Sequence, residues 1–242
     1  MPPDLPPPNP AAVWLAYRLL GAIFGAYIHT HFSGTQHLPP EGVPTVVAAN
    51  HTSSLDVFAA GYGVRRTAHF LSKVEVTRIP VFGPFLLAAG AIPARRDGRD
   101  TAAVRQLVTA LEAGRLVGVA PEGTRSPDGR LGAYDAGFVW LAARTGAVIV
   151  PCAIHGARAL MPKGAQYPRR GDIWVRFGEP VDLAGEPRPV ARERLEAIAA
   201  DVRARTHRML LDLEAESGVP NPALHEGGPG REVAAVRQGH RD

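Results

Sequence analysis

A single cysteine, Cys152, is present among the 242 residues, so the chain cannot form a disulfide bond within itself. Such sparing use of cysteine is typical of proteins from reducing compartments. Cys152 lies in an apolar run, where we expect a small core residue rather than a nucleophile. The spacing of the cysteine and histidine residues also matches no structural zinc site, and we expect no metal.

The chain also has only a small excess of positive charge. The 27 Lys and Arg residues outnumber the 23 Asp and Glu residues only slightly, and arginine is far more frequent than lysine. No basic run of the type that binds nucleic acid is present, and no internal repeat is visible. The mild positive charge suits an anionic membrane surface or a phosphorylated ligand, but it requires neither.

The one long apolar segment runs from residue 11 to residue 28 and is interrupted by Arg18. The proline-rich start and the lack of a preceding basic cluster argue against a cleaved signal peptide. A spanning helix would carry Arg18 near its middle, at a cost of about 2.5 to 3.5 kcal/mol. We therefore expect residues 1–32 to form a proline-rich start and a membrane-associating helix that lies in the interface. A helix that spans the membrane and a helix packed on the core are the alternatives.

Apolar strand-like runs alternate with helical segments through most of the remaining chain. Strands are predicted at residues 45–49, 67–71, 90–94, 116–120 and 147–154, and a half-buried strand at residues 173–177. Helices are predicted at residues 101–113, 136–144 and 189–213. This alternation predicts one α/β domain over residues 33–215, with a mixed, largely parallel central sheet flanked by helices. Residues 216–242 are rich in Gly, Pro and charge, and we expect a disordered tail.

A histidine and an aspartate stand at the junction of the first buried strand and the next helix. His51 follows the strand, and Asp56 falls near the start of the helix. On one regular helix, residues five apart would point about 140° away from each other. The two side chains can meet only if His51 lies in the turn and its ring folds back over the helix start. Asp56 would then orient the ring and leave the other nitrogen free as a base. Otherwise the pair is a turn residue and a capping charge.

Two later loops that follow predicted strands place arginine beside glycine, around Arg96 and around Arg125. A guanidinium can bind phosphate through two parallel hydrogen bonds, and glycine permits close approach of the backbone. Lys73 follows another predicted strand and adds a positive charge. Ligand sites gather at the carboxyl ends of strands, so we expect these groups to converge with His51. With the apolar residues 79–89, they indicate chemistry on an amphiphilic phosphorylated molecule.

These motifs resemble those of the glycerolipid acyltransferase family, which is typified by the 1-acylglycerol-3-phosphate acyltransferases. The family's His-x4-Asp motif is His51 to Asp56, and its Gly-x-Ile motif with a following arginine is residues 90–96. Its Pro-Glu-Gly-Thr-Arg-Ser motif is intact at residues 121–126, and its proline-containing strand is residues 148–154. The resemblance covers roughly residues 34–182. Many relatives have Phe-Lys-x-Gly where this chain has residues 134–137, so the acceptor headgroup stays open.

The resemblance implies transfer of a fatty acyl chain from acyl-CoA or acyl carrier protein to the free sn-2 hydroxyl of 1-acylglycerol-3-phosphate. The product would be phosphatidic acid for phospholipid synthesis, made at the cytoplasmic face of the cell membrane. By the same resemblance His51 is the general base, Asp56 orients it, and no cofactor is needed beyond the thioester donor. The residues that would bind the acceptor phosphate are Lys73, Arg96, Glu122, Gly123, Thr124 and Arg125. For Glu122, contact with Arg125 or a glycerol oxygen and a structural role are equally open.

Other functions remain open from the sequence. The acceptor can be a different lysophospholipid or a glycolipid, and water in place of the acceptor would make the protein a lipid or thioester hydrolase. A membrane-binding scaffold without catalysis is a third alternative, although the complete His51 and Asp56 pair argues against it. Ser53 and Ser54 lie beside His51, where we expect helix capping rather than nucleophilic attack.

Overall fold

The fold is built on one seven-stranded sheet, seen in a computed structural model that describes residues 18, 27–64, 66, 68–80, 82–95 and 100–225. The strands are Ile28–Ser33 (β1), Thr45–Ala49 (β2), Ala68–Lys73 (β3), Ala91–Ala94 (β4), Leu116–Val119 (β5), Val148–His155 (β6) and Gly171–Phe177 (β7). Their order across the sheet is β1-β7-β6-β2-β5-β3-β4. Only β6 and β7 pair antiparallel, and the other pairings are parallel. The predicted mixed, largely parallel sheet is confirmed.

Helices cover both faces of the sheet. They are Leu55–Val64 (α1), Val74–Thr77 (α2), Phe82–Ala88 (α3), Thr101–Glu112 (α4), Gly137–Thr145 (α5), Ala157–Leu160 (α6) and Arg192–Ser217 (α7). The predicted start of α4 is confirmed, because the Asp100 side chain caps it by accepting the Ala103 N–H at 3.0 Å. Within the part of the chain that the structure describes, no helix combines the length and the apolar character that crossing a membrane requires.

Two apolar cores lie on opposite faces of the sheet, and β2 contributes to both. Val46 and Ala48 pack into the core covered by α4, α5 and α7. Val47 points the other way, into the core shared with α1 and α6. This alternation follows from the pleat of a strand, in which successive side chains point to opposite faces. Because β2 is buried on both faces, its carboxyl end is held in place, and so is the beginning of the loop that follows it.

The amino-terminal boundary of the domain differs from the prediction. Residues 28–32 were expected to end the membrane-associating region, whereas they form most of β1, which pairs with β7. The segment reads as a strand because Ile28 is buried while the neighbouring His29 and His31 are exposed. The sheet therefore begins at residue 28 rather than after residue 33. Apart from Arg18 and the last residues, the predicted helix lies outside the described residues.

The carboxyl-terminal boundary also differs. α7 continues to Ser217, and Gly218 ends it with a left-handed conformation at φ 67°. Leu224 then packs against Leu210 and Leu213 of α7. Residues 216–225 therefore belong to the domain, and the prediction of a tail starting at residue 216 is wrong for them. The prediction was based on the average composition of residues 216–242, in which Gly, Pro and charged residues dominate. An average of this kind does not reveal that a single leucine is buried. Residues 226–242 lie outside the described part of the chain.

Candidate active site

The loop after β2 is fixed by a buried asparagine. Asn50 Nδ2 donates to the Ile154 carbonyl at 3.0 Å, and Asn50 Oδ1 accepts the Ile154 N–H at 2.8 Å. The side chain thus continues the pairing between β2 and β6 for one residue beyond the end of β2. Both polar ends of the amide are satisfied, so this loop leaves the sheet at a defined point and direction.

His51 and Asp56 are in contact at the start of α1. His51 Nδ1 lies 3.0 Å from Asp56 Oδ2, with 21% of the His51 side chain exposed and 3% of the Asp56 side chain exposed. The same oxygen accepts the backbone N–H groups of Thr52 at 2.6 Å and Ser53 at 2.7 Å. Because the backbone groups can only donate, Oδ2 is an acceptor, and we assign the imidazole proton to Nδ1. Nε2 is left unprotonated, without a hydrogen-bond partner among the described residues.

Glu122 supports the main chain of this loop. Its Oε1 accepts the His51 backbone N–H at 2.8 Å, and its Oε2 accepts the Gly132 N–H at 3.0 Å. Burial raises the pKa of Glu122, and the two backbone donors partly offset that effect. Both carboxylate oxygens thus contact backbone N–H groups of the two loops, and contact of Glu122 with a substrate phosphate stays a prediction. A second bond joins the two loops, from the Ser126 N–H to the His51 carbonyl at 2.7 Å.

Arg125 contacts the loop that carries His51. Its Nη1 donates to Ser54 Oγ at 2.7 Å, which holds the half-buried guanidinium against this loop. A guanidinium has five N–H donors, so further donors remain for a ligand. Ser53 Oγ donates to the Met161 carbonyl at 2.8 Å and accepts the Leu55 N–H at 3.2 Å. Neither serine hydroxyl hydrogen-bonds to His51, which gives no support to a serine nucleophile. The Ser53 contact with the Leu55 N–H matches the expected capping role, whereas Ser54 contacts Arg125 instead.

The other predicted phosphate-binding residues make no hydrogen bond or ion pair with the loop of His51 that the structure describes. Lys73 is exposed at the end of β3, and Gly123 and Thr124 are exposed in the turn after β5. Gly123 has φ 68°, a left-handed conformation that glycine adopts without strain. Arg96 lies outside the described residues. The structure thus brings together His51, Asp56, Glu122 and Arg125, while Lys73, Gly123 and Thr124 lie at the same rim of the sheet.

The departure from the family pattern at residues 134–137 has a local explanation. Asp135, which stands where many relatives have lysine, is exposed and accepts the Gly137 N–H at 2.7 Å. Its own N–H donates to the Pro121 carbonyl at 3.0 Å. Asp135 therefore caps the beginning of α5 and joins it to the loop of Glu122 and Arg125.

Cys152 and metal binding can be assessed from the same geometry. Cys152 is fully buried in β6, and burial together with the nearby Asp56 carboxylate raises the pKa of its thiol. It stays protonated at neutral pH, as expected of a core residue. Among the described residues, no group of three or more His, Cys, Asp or Glu side chains is arranged to hold a metal ion.

Comparison with known proteins gives a consistent assignment. A family model described as Acyltransferase matches residues 29–155. A chloroplastic 1-acyl-sn-glycerol-3-phosphate acyltransferase of Brassica napus is 32% identical over 158 residues, which are 64% of this chain and 46% of that protein. The protein of that name from Pseudomonas aeruginosa is 30% identical over 202 residues, which are 80% of this chain and 74% of that protein.

Among solved structures, the 1-acyl-sn-glycerophosphate acyltransferase PlsC of Thermotoga maritima superposes with a TM-score of 0.70 at 25% identity. The match covers 86% of this chain and 81% of that one. The chain spans less than half the length of the plant relatives from Brassica napus and Arabidopsis thaliana, at 46% and 43%. The family model covers the β2–α1 loop and the Glu122 loop, and the fold matches over most of its length. The chain belongs to the acyltransferase family.

Proposed function

We propose that the protein transfers a fatty acyl chain from a thioester donor, acyl-CoA or acyl carrier protein, to the sn-2 hydroxyl of 1-acylglycerol-3-phosphate. The product is phosphatidic acid, a precursor of phospholipids. The observation that carries this proposal is the 3.0 Å contact between His51 Nδ1 and Asp56 Oδ2, which leaves Nε2 available as a base. Relatives named as 1-acyl-sn-glycerol-3-phosphate acyltransferases support the choice of acceptor.

The proposed reaction is a direct transfer. Nε2 of His51 takes the proton of the acceptor hydroxyl while its oxygen attacks the thioester carbonyl. The tetrahedral intermediate collapses with cleavage of the C–S bond, and the imidazolium returns its proton to the leaving thiolate. Asp56 keeps the ring in the required tautomer and stabilises the imidazolium. General-base assistance of this kind contributes about 10²- to 10⁴-fold in rate. The reaction needs no cofactor beyond the thioester donor.

Arg125 is the proposed anchor of the acceptor phosphate. Its bond to Ser54 Oγ holds it on the loop that carries the base, so a bound phosphate is fixed relative to His51. Arg96 and Lys73 add positive charge, and the backbone of Gly123 and Thr124 offers donors. We assign Glu122 to a different task, because its contacts to the His51 and Gly132 N–H groups keep the base in position.

An apolar surface near the rim supports membrane association. Leu71 and Ile79 are each 46% exposed and Leu87 is 42% exposed, on the segment that runs from β3 through α3. Exposed apolar patches of this type mark membrane or lipid contacts. We propose that this surface and the amino-terminal segment contact the cytoplasmic face of the cell membrane. Leu87→Glu is expected to weaken flotation with anionic vesicles, and unchanged flotation of Leu71→Glu, Ile79→Glu and Leu87→Glu variants would rule this surface out.

The test of the proposed function is product analysis with a labelled thioester. Wild-type protein is incubated with labelled acyl-CoA and, separately, with 1-acylglycerol-3-phosphate, other lysophospholipids and glycolipids. We expect labelled phosphatidic acid as the main product and slow release of free fatty acid. Release of fatty acid at the same rate without acceptor would identify a hydrolase. Preferred acylation of another lipid would retain the chemistry but contradict the proposed acceptor.

A further inference from the structure

A cavity of about 600 Å³ lies beside the loop that carries His51. Asn50, Thr52 and Glu122 line it where it meets this loop, so it reaches the two residues that flank the base. Leu131, Ile154 and Leu210 give it an apolar floor. Its volume falls within the range of about 300 to 1,000 Å³ that is typical of small-molecule sites.

Three arginines give the cavity its charge. Arg130, Arg158 and Arg169 line it, from the loop after β5 and from the segment between β6 and β7. Arg158 donates from Nη1 to the Ser126 carbonyl at 3.3 Å and from Nη2 to the Pro127 carbonyl at 2.9 Å. These bonds orient the guanidinium and leave further N–H donors for a ligand. Arg169 is exposed and makes no side-chain hydrogen bond or ion pair with the described residues.

The other titratable groups around the cavity do not cancel this charge. Asp128 and Glu122 are the carboxylates that line it, and Asp128 Oδ2 lies 3.7 Å from Arg130 Nε. Glu122 is occupied by two backbone N–H groups. Burial lowers the pKa of His155, so that ring is neutral at pH 7. The lining is therefore net positive and suits a phosphate attached to a less polar arm.

Two of the three cavity arginines lie on the other side of β2 from Arg125. In the sheet order, β2 lies between β6 on one side and β5, β3 and β4 on the other. Arg125 and Lys73 follow β5 and β3, whereas Arg158 and Arg169 follow β6, and Arg130 shares the loop after β5 with Arg125. The loop with His51 leaves β2, so basic residues flank it on both sides. Direct transfer brings two phosphorylated substrates together at one base, and arginines that follow β6 hold one phosphate apart from a phosphate bound at Arg125, which limits the repulsion between them.

We infer that this cavity binds the phosphate of the phosphopantetheine arm of the thioester donor, with the arm lying over the apolar floor towards Asn50 and Thr52. The arm is common to CoA and to acyl carrier protein, so the same site serves either donor. This inference rests on the proposed transfer reaction, but binding can be measured without turnover.

The test compares two adjacent exposed arginines, only one of which lines the cavity. Arg169→Gln and Arg170→Gln remove the same charge, and Arg170 is the matched control because it does not line the cavity. Isothermal titration of the full chain measures binding of CoA, 4′-phosphopantetheine, pantetheine and 1-acylglycerol-3-phosphate. We expect Arg169→Gln to weaken CoA and 4′-phosphopantetheine at least about fivefold, as loss of a charge-assisted contact does. Pantetheine, which has no phosphate, should bind at least about tenfold more weakly than 4′-phosphopantetheine to the wild type.

Several outcomes would overturn the inference. Equal CoA affinity in the Arg169→Gln and Arg170→Gln variants would do so, as would failure of the wild type to bind CoA and 4′-phosphopantetheine. Weaker binding of 1-acylglycerol-3-phosphate alone in Arg169→Gln would assign the cavity to the acceptor. Formation of phosphatidic acid by the wild type is assayed separately. If that product forms while Arg169→Gln keeps its donor KM, the cavity inference fails and the proposed function stands.

Discussion

Glu122 is bonded to the main chain of His51, 71 residues away in sequence, through a 2.8 Å hydrogen bond from the His51 N–H to Oε1. The other oxygen holds Gly132, so one carboxylate joins the loop after β2 to the loop after β5. The base is therefore held from two directions: Asp56 orients the ring, and Glu122 fixes the backbone from which the ring projects. The two carboxylates of the site thus have different tasks.

Glu122→Gln tests the supporting role. Glutamine keeps one acceptor oxygen but places an amide NH₂ against a backbone N–H, so one bond is lost. We expect the free energy of unfolding to fall by about 1 to 3 kcal/mol and kcat to fall, with the acceptor KM nearly unchanged. Denaturant titration and steady-state kinetics measure both. An increase in acceptor KM at unchanged stability and kcat would instead show that Glu122 contacts the substrate.

Asp56→Asn tests the charge beside the ring. The Thr52 and Ser53 N–H groups would select the amide oxygen at the Oδ2 position, so His51 Nδ1 keeps its acceptor, but the negative charge that stabilises the imidazolium is lost. We expect kcat to fall at least about tenfold, with acceptor KM changed little. Near-ultraviolet circular dichroism checks that the fold is retained. A folded variant within about threefold of wild-type kcat would contradict the role of Asp56.

Arg125→Lys tests the phosphate anchor. Lysine keeps the charge but loses the planar fork that binds phosphate through two bonds. We expect the KM for 1-acylglycerol-3-phosphate to rise about tenfold or more, with a smaller change in kcat. Arg144→Lys is the matched control, because Arg144 is exposed at the end of α5, which leads into the beginning of β6 at the opposite edge of the sheet. Loss of kcat alone, with unchanged acceptor affinity, would argue against the anchor.

A buried histidine away from the site predicts a pH dependence of stability. His69 Nδ1 lies 3.2 Å from the Gly90 carbonyl oxygen, and its Nε2 accepts from Arg115 at 3.2 Å. Burial, aided by Arg115, lowers the pKa of His69 below 6.5. The unfolded chain therefore takes up this proton first, so stability is lost as pH falls from about 6.5 towards the folded-state pKa.

The slope of that loss identifies the residue responsible. We expect His69→Gln to flatten the dependence of the free energy of unfolding on pH below about 6.5, whatever its effect on the stability at pH 8. His155, whose pKa burial also lowers, keeps part of the slope in this variant. His29→Gln, at an exposed position in β1, serves as the control. An unchanged slope in His69→Gln would show that His69 is not the group that titrates.

Much of the fold followed from local patterns. β2 was predicted at its observed bounds, because its apolar residues are continuous and a motif follows them. Helix geometry left the contact of His51 with Asp56 open, and the resemblance to the acyltransferase family favoured it; the structure shows the contact. β1 was missed because its first residue ends an apolar run that reads as one helix.

The parts that could not be predicted depend on contacts between distant segments. Nothing near Glu122 in the sequence indicates that Gly132 and the His51 backbone would occupy both of its oxygens. Leu224 packs on α7 in a segment whose composition resembles a tail. Arg158 and Arg169 belong to no motif that the sequence shows. Their position beside the loop after β2 results from the pairing of β6 with β2.

The role of His51 as the base is tested most directly by the rate at which His51→Ala forms labelled phosphatidic acid. Because Nε2 is the proposed base, removal of the ring is expected to lower kcat by at least about 10²-fold. Binding of CoA and of 1-acylglycerol-3-phosphate should stay within about twofold of wild type, and the variant should remain folded by circular dichroism. A folded His51→Ala protein that forms phosphatidic acid within about threefold of the wild-type rate would show that His51 is not the base.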